Sequence, residues 1–366
     1  MRIVSISYVN TNSYDDPNKW LDRISFYTGV LEELAKQHQI DSIEQINYSG
    51  KLIRSGVTYH FLNFKKQKLY FPNRLHRYIK TLKPDVVFVN GFIFPLQIIQ
   101  LRKALGKNAK VIVLHRAEKP FTGLKYYLQK IADRSVDAYL FVSDEFGQEW
   151  IKKGIVESKE KIHEVIQSSS SFLPKSKEVS KKFLDLSGDP VFLWVGRLEK
   201  NKDPVTVVKA FANFLLIQPA ATLYMIYQED KLLTEVSNLI DAAGKDRIIL
   251  VGKIEHQQLQ HWYNAADYFI SGSHYEGSGI AVCEAMSCGC IPILTNIISF
   301  RRMTGPNKCG LLYEAGNADH LLSILLKTNE LNIEAEKKKT LEQFKQELSF
   351  EAIAKKITKV INSINA

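Results

Sequence analysis

Short apolar segments rich in β-branched and aromatic residues alternate with longer helix-like segments over most of the chain. Between the short segments lie stretches such as KWLDRISFYTGVLEELAKQ (19–37), in which apolar residues recur at three- and four-residue steps. This rhythm predicts a parallel sheet with helices on both faces. In the first half, the predicted strands are RIVSISY (2–8), VTYHFLNF (57–64), DVVFVNG (85–91), KVIVLH (110–115) and DAYLFVS (137–143).

The rhythm breaks at SFLPKSKEVSKKFLDLSGDP (171–190), which is rich in Lys and Ser, and then resumes. A chain of 366 residues is also longer than one hydrophobic core usually supports. We therefore predict a domain over 1–172, a linker over 173–189 and a second domain over 190–349. Both are expected to be doubly wound, Rossmann-like α/β domains that face each other across a cleft, with ligands at the carboxyl ends of the strands. The second set of predicted strands is VFLWVG (191–196), ATLYMIY (221–227), RIILVG (247–252), DYFISGS (267–273) and CIPILT (290–295).

The segment FEAIAKKITKVINSINA (350–366) has the apolar spacing of an amphipathic helix. Ile353, Ile357 and either Val360 or Ile361 would share one side of it.

The formal net charge of +10 lies entirely in residues 1–175, because Lys and Arg balance Asp and Glu in the remainder. Such an asymmetry indicates that the first half meets something anionic, either a phosphate-bearing acceptor or an acidic membrane surface. A nucleic-acid partner is disfavoured, since no base-stacking platform or recognised binding motif accompanies the charge.

The segment FKKQKLYFPNRLHRYIKTLKP (64–84) is compatible with two interpretations. Leu75, Tyr78, Ile79 and Leu82 would share one helical face, as in a helix that packs on the sheet. The alternative adds docking to anionic lipid headgroups. Its cations would be Lys65, Lys66 and Lys68 with the helical Arg74, Arg77, Lys80 and Lys83, and Tyr70 and Phe71 would lie at the interface.

No apolar run approaches the roughly 18 residues of a membrane span, and the start MRIVSISYV is too short and too polar for a signal peptide. We therefore expect a cytoplasmic protein, with peripheral attachment at the inner face of the membrane as the alternative. The four cysteines, at 283, 288, 290 and 309, match no common zinc spacing and are predicted to be buried thiols.

The stretch HYEGSGIAVCEAM (274–286) holds Glu276 and Glu284 around a glycine-rich turn that leads into a predicted helix. A helix N-terminus has unpaired N–H groups and partial positive charge, and glycines let a ligand approach them closely. This arrangement predicts a phosphorylated ligand with hydroxyls that a carboxylate can bind. In the plainer interpretation, Glu276 complements the helix dipole and Glu284 is solvated; apolar neighbours such as Val282 disfavour the latter.

The stretch VFLWVGRLEKNKDP (191–204) places Arg197 and Lys202 in the turn after a predicted strand. The two cations can converge on one diphosphate, the guanidinium with two hydrogen bonds and the ammonium as a point charge. A solvated basic turn is the alternative, because exposed Lys and Arg need no special explanation.

Together, VGRLEKNKDP, GSHYEGSGIAVCEAMSCGCIPIL and CGLLYEAGNADHL resemble the donor-binding half of GT-B retaining glycosyltransferases of family four, the glycosyltransferase group 1 type. The resemblance implies a nucleotide-sugar donor held by the second domain and an acceptor, a glycan or a lipid-linked glycan, held by the first. It also implies transfer of a hexose to an acceptor hydroxyl in polysaccharide or glycolipid biosynthesis. The resemblance further implies that the helix predicted over 350–366 packs back on the first domain.

The resemblance assigns roles to individual residues. Arg197 and Lys202 match the pair that contacts the diphosphate, Glu284 the residue that accepts from ribose hydroxyls, and Glu276 the residue near the transferred sugar. Further implied donor contacts are the backbone turn Gly277, Ser278 and Gly279, and Ile254 after the strand RIILVG. His115, which ends KVIVLH, corresponds to a histidine near the sugar; a strand-end histidine bonded to backbone is the alternative.

No D-x-D pair lies near these motifs, so we expect turnover without a metal ion or any other cofactor. The first half departs from the family at two places: VNTNSYDDPNK (9–19) stands where a glycine-rich loop is usual, and IQSSSS (166–171) where Asn-Gly is usual. Two alternatives therefore remain, a non-catalytic nucleotide-sugar-binding scaffold and another GT-B enzyme such as a nucleotide-sugar epimerase.

Overall fold

A computed structural model describes residues 1–9, 11–64, 70–243, 246–306 and 308–365. The chain divides into two compact units. Unit 1 comprises Met1–Ser169 together with Phe350–Ala366, and unit 2 comprises Ser170–Ser349. Each is built on its own sheet, as the repeated strand–helix rhythm predicts.

The described residues of unit 1 form a sheet in the order β3-β4-β2-β1-β5-β6-β7-β8. Every neighbouring pair is parallel except the hairpin β3–β4, where Ser55 and Gly56 both have positive φ, as a tight hairpin turn requires. The strands are β1 Arg2–Ile6, β2 Gln39–Glu44, β3 Gly50–Arg54, β4 Val57–Phe61, β5 Val86–Asn90, β6 Lys110–Leu114, β7 Ala138–Phe141 and β8 Ile162–Glu164. The helices before residue 170 are α1 Pro17–Arg23, α2 Ser25–Leu34, α3 Asn73–Thr81, α4 Pro95–Leu105, α5 Leu124–Asp133 and α6 Asp144–Lys152.

The described residues of unit 2 form an all-parallel sheet in the order β11-β10-β9-β12-β13-β14. Its strands are β9 Val191–Gly196, β10 Thr222–Tyr227, β11 Ile248–Gly252, β12 Tyr268–Ser271, β13 Ile291–Thr295 and β14 Leu311–Tyr313. Its helices are α7 Lys177–Leu184, α8 Pro204–Phe214, α9 Leu233–Ala242, α10 Leu259–Ala265, α11 Ile280–Ser287, α12 Ile298–Thr304, α13 Ala318–Lys327 and α14 Ile333–Gln343. Phe192 on β9 stacks on Tyr268 of β12, with 4.9 Å between ring centroids, at the centre of the core.

The structure differs from the predicted linker over 173–189, because these residues lie in unit 2 and include helix α7. The Ser176 side chain caps this helix by accepting a hydrogen bond from Val179 N at 3.3 Å. Lys177 Nζ lies 2.5 Å from the buried Asp267 carboxylate, and α7 packs on α10. The Lys/Ser-rich composition is therefore that of a capped surface helix.

Helix α15, Phe350–Asn365, belongs to unit 1 and contacts α2. Ile353, Ile357 and Ile361 are among its buried residues. The contact depends on Gly29 in α2, since a Cβ there would stand 2.5 Å from the Phe350 ring. This glycine therefore leaves the space that the aromatic ring fills.

Candidate functional site

Two loops meet where the adjacent strands β9 and β12 end in unit 2. His274 N donates to Asn201 O at 2.9 Å, and Asn201 Nδ2 donates to Tyr275 O at 3.0 Å. Gly272 permits the approach, because a Cβ there would stand 2.8 Å from the Asp203 carbonyl oxygen. The sequence motifs after the two strands are thus held together by hydrogen bonds to backbone carbonyls, one donated by a backbone N–H and one by a side-chain amide.

Lys202 and Glu276 form an ion pair across these loops. The Glu276 oxygen that faces Lys202 also accepts from Ser273 Oγ at 2.8 Å. Both charged side chains are largely buried, with 22% and 16% exposure. The structure therefore brings together one predicted diphosphate residue and one predicted sugar residue.

Arg197 lies in a different group of charges. Its guanidinium is 2.8 Å from Glu199 Oε1 and 3.7 Å from Glu229 Oε1, and half of the side chain is exposed. Lys231 Nζ approaches the same two carboxylates, at 4.0 Å from Glu199 and 3.2 Å from Glu229. An anion that binds Arg197 must therefore compete with two carboxylates.

Helix α11 begins immediately after the predicted turn Gly277, Ser278 and Gly279. Gly279 has φ +49°, a left-handed conformation that favours glycine, and a Cβ there would stand 3.0 Å from the Phe300 ring. The N-cap residue is Gly279, so no N-cap side chain accepts a hydrogen bond from the first N–H groups of this helix. Its first backbone N–H groups suit an anionic ligand.

Glu284 is buried in the second turn of α11, with 5% exposure, so the solvated interpretation is wrong. Its Oε2 accepts from Tyr263 OH at 3.0 Å, and its Oε1 lies 2.5 Å from His256 Nε2. Burial and the Glu284 charge raise the pKa of Tyr263, which keeps the phenol neutral.

Sequence reasoning missed His256, which pairs with Glu284 from the short 3-10 turn His256–Gln258. About half of its side chain is exposed, and its ring lies 5.2 Å from that of Phe172, centroid to centroid. The half-buried Ile254 precedes it by two residues. The only sequence signal was a histidine in the loop after β11, close to an expected donor contact.

The His256–Glu284 pair predicts that ligand binding at Glu284 depends on pH. The hydrogen bond to Glu284 raises the pKa of His256, and the pair stabilises the fold below the ordinary histidine pKa, an effect lost as pH rises through the raised value. A ligand hydroxyl that donates a hydrogen bond to the Glu284 carboxylate must displace the protonated His256 ring from it. We therefore expect the dissociation constant of a nucleoside diphosphate to fall as pH rises through this window, measured by calorimetry.

Two variants test this pH dependence. His256→Asn should remove it, whereas His261→Asn should keep it, because His261 stacks on Phe183 at 4.4 Å instead. The same pH dependence in wild type and His256→Asn would contradict the role of the pair.

His115, in unit 1, is the first residue after β6 and is buried among aromatic rings. Its Nε2–H donates to Glu118 O at 2.8 Å, and its ring lies 4.3 Å from that of Phe141. Burial lowers the pKa of His115, so the imidazole is neutral near pH 7. Its Nδ1 has no hydrogen-bond partner among the described residues. The backbone hydrogen bond that the plainer interpretation predicts therefore satisfies Nε2 of His115. It leaves Nδ1 without a hydrogen bond from the described residues.

The four cysteines are all buried, as predicted. Burial raises the pKa of Cys288 and Cys309 to about 12, which keeps both thiols protonated. Among the residues that the structure describes, no group of three or more His, Cys, Asp or Glu side chains is arranged to hold a metal ion.

Comparison with known proteins finds a family similarity within unit 2. Residues 175–347 match the model of "Glycosyl transferases group 1". Over 153 residues, the chain is 28% identical to D-inositol 3-phosphate glycosyltransferase of Streptosporangium roseum, a match that covers 39% of this chain and 35% of that protein. The chain thus spans about a third of the length of this curated relative.

Two solved structures align with nearly the whole chain. Sucrose-phosphate synthase from Thermosynechococcus elongatus aligns with TM-score 0.74 and 18% identity over 100% of this chain and 98% of that one. Anabaena Alr3699/HepE, solved in complex with UDP, aligns with TM-score 0.72 and 13% identity over 99% and 100%. These likenesses establish a shared fold of two parallel-sheet α/β domains.

Proposed function

We propose that this chain, which has the GT-B fold and whose residues 175–347 match the glycosyl transferases group 1 model, transfers a hexose from a nucleotide-sugar donor to an acceptor hydroxyl. We further propose that transfer retains the anomeric configuration and needs no metal ion. The observation that carries the proposal is the pair Lys202–Glu276 beside the uncapped start of α11, with the buried Glu284 further along the same helix.

The chemistry of the leaving group explains why these residues suit the reaction. Departure of a nucleoside diphosphate leaves negative charge on phosphate oxygens, which Lys202, Arg197 and the N–H groups that follow Gly279 would offset. Glu284 would accept hydrogen bonds from ribose hydroxyls once His256 has moved aside. Glu276 would lie beside the transferred sugar. Lys202 would leave its ion pair with Glu276 and bind a phosphate oxygen of the donor.

Three further donor contacts belong to the proposal. The backbone of Gly277 and Ser278 would approach the phosphate and sugar, and the half-buried Ile254 would contact the nucleotide. The UDP bound to the Anabaena structural neighbour supports a nucleoside diphosphate as the ligand class. His115 would face the sugar through Nδ1, the nitrogen that lacks a protein partner among the described residues.

The acceptor is proposed to be a glycan or a lipid-linked glycan in polysaccharide or glycolipid biosynthesis. The positive charge of residues 1–175 supports an acceptor that carries phosphate or lies at an acidic membrane surface. Among the described helices, none is both long and apolar enough to cross a membrane. Peripheral attachment at the inner face of the membrane is part of the proposal.

The proposal is tested by turnover in the presence of EDTA. The protein is incubated with UDP-, GDP- and ADP-sugars and with candidate acceptors, and nucleoside diphosphate release and glycosylated product are measured. We expect one donor class to support transfer at the same rate with EDTA and with added magnesium. Loss of activity in EDTA with recovery in magnesium would show that the metal-independent proposal is wrong.

The same assay separates the two alternatives. A sugar altered without any acceptor would identify an epimerase. Donor binding without transfer to any acceptor would favour the non-catalytic scaffold.

A further inference from the structure

The three helices of one layer of unit 1 expose cations but no acids. Helix α4 contacts both α3 and α5, so the three helices form one layer. The segments 64–84, 91–110 and 119–132 span α3, α4 and all of α5 except its last residue, and they contain no Asp or Glu. That last residue, Asp133, is buried. Helices α1 and α2, by contrast, contain Asp22, Glu32 and Glu33.

The cations of this layer are exposed and unneutralised. Within the described ranges, no carboxylate lies within 4.0 Å of the side chains of Arg74, Arg77, Lys80, Lys125 and Lys130, all of which are exposed. The sequence-predicted cations Lys65, Lys66 and Lys68 lie outside the described residues. The buried face of α3 contains Leu75 and Ile79, as its spacing predicts, so the cations lie on the face away from the sheet.

Large apolar side chains lie at one edge of the same layer. Strands β4, β5 and β6 are mutually aligned through parallel pairings, and α3, α4 and α5 follow them, so the three helix N-termini lie at the same edge of the sheet. Phe71 before α3 is 67% exposed, Ile93 before α4 39%, and Leu124 and Tyr127 in α5 are 84% and 61% exposed.

The exposed apolar side chains continue along helix α5 as a stripe. Leu124, Tyr127 and Ile131 follow one another at three- and four-residue steps and are all exposed, while Ala132 on the other side is buried. Single exposed apolar residues are normal on a protein surface, but a stripe flanked by cations is typical of a helix that lies in a membrane interface.

We infer that the surface formed by Phe71, Leu124, Tyr127 and Ile131 with the exposed cations of α3 and α5, here called the α3–α5 surface, docks on an anionic lipid bilayer. The apolar side chains enter the headgroup region, and the cations bind lipid phosphates. The occupant is a bilayer because the surface pairs exposed apolar groups with unneutralised positive charge and contains no acid. The inference depends on the proposed function only for its purpose, which is to bring the transferase to a lipid-linked acceptor.

Vesicle flotation tests the docking. The full-length protein is mixed with vesicles of phosphatidylcholine alone or with added phosphatidylglycerol, at about 0.1 M and about 1 M salt, where the screening length falls from about 10 to about 3 Å. We expect binding to the anionic vesicles at low salt, release at high salt, and weak binding to neutral vesicles.

Matched variants distinguish docking through the α3–α5 surface from nonspecific hydrophobic binding. The pair Leu124→Ser/Tyr127→Ser should weaken binding to anionic vesicles by about tenfold or more, and Lys125→Glu/Lys130→Glu by a similar factor. The control Leu216→Ser/Ile217→Ser removes two apolar side chains of unit 2 that are 71% and 57% exposed, and it should bind as wild type.

Three outcomes would overturn the inference: equal binding to neutral and anionic vesicles, no loss in either α5 pair, or an equal loss in the control pair. Nucleoside diphosphate binding is measured on every variant. Because both α5 pairs lie in unit 1, whereas Glu284 and Lys202 lie in unit 2, retained nucleotide binding with lost flotation separates failure of docking from failure of the proposed function.

Discussion

Glu284→Ala is expected to eliminate most of the thermal stabilisation that a nucleoside diphosphate confers on the wild-type protein. A hydrogen bond to a charged group contributes about 1.5–3 kcal/mol, so losing the carboxylate should weaken nucleotide binding by at least about tenfold. At a hundredfold excess over the wild-type dissociation constant, the ligand stabilises the native state by about 2.7 kcal/mol. The measurement is a thermal-shift series with UDP, GDP and ADP, and the nucleotide that shifts the wild type identifies the base.

Removal of Glu284 also leaves the buried Tyr263 hydroxyl without its acceptor, which costs about 1–3 kcal/mol of stability independently of any ligand. Tyr263→Phe controls for this effect, because it breaks the same hydrogen bond while keeping the carboxylate. We expect Tyr263→Phe to retain the nucleotide-dependent shift, and the exposed Glu235→Ala to behave as wild type. A full shift in Glu284→Ala would rule out this carboxylate as the ribose contact.

Lys202→Ala is expected to reduce the turnover number by roughly 10²–10³, the range found when one donor to a developing oxyanion is removed. Lys202 is only 22% exposed, so a charge there acts on the leaving phosphate with little screening by water. Arg197→Ala should have a smaller effect, because this side chain is half exposed and already shared between Glu199 and Glu229. Steady-state kinetics with saturating donor measures both.

Lys209→Ala provides the matched control for these cation deletions, since Lys209 is an exposed lysine on α8 that has no ion-pair partner among the described residues. Its turnover should equal that of the wild type. A similar loss in Lys209→Ala and Lys202→Ala would indicate a general charge effect. Unchanged turnover in Lys202→Ala would remove this lysine from the proposed diphosphate site.

The sequence predicted the central strands because they are continuous apolar runs, the pattern of strands buried on both faces. It did not predict β2, QIDSIE, which contains buried acids. In the structure, Asp41 accepts from Arg2 Nε at 2.8 Å and lies 2.6 Å from His60 Nε2, so distant partners offset the cost of burying its charge. Such a strand cannot be recognised from local hydropathy, because its polar groups are satisfied by residues far along the chain.

The same limit applied to the site. The residues of the turns after β9 and β12 follow from strand ends and glycine placement. The sequence did not predict the ion pair of Lys202 with Glu276. The pairing of His256 with Glu284 spans two elements and had no comparable pattern. The pairing of these two residues depends on the fold, which places the loop after β11 beside α11.

The packing of α15 on α2 has a consequence for the order of folding. Unit 2 is one continuous segment, Ser170–Ser349. Unit 1 instead combines residues 1–169 with helix α15, and Phe350 packs against Gly29. During synthesis, unit 2 can fold as soon as its own segment has emerged. Unit 1 must wait for residues 350–365, and until then the face of α2 that receives Phe350 is open to chaperones and proteases.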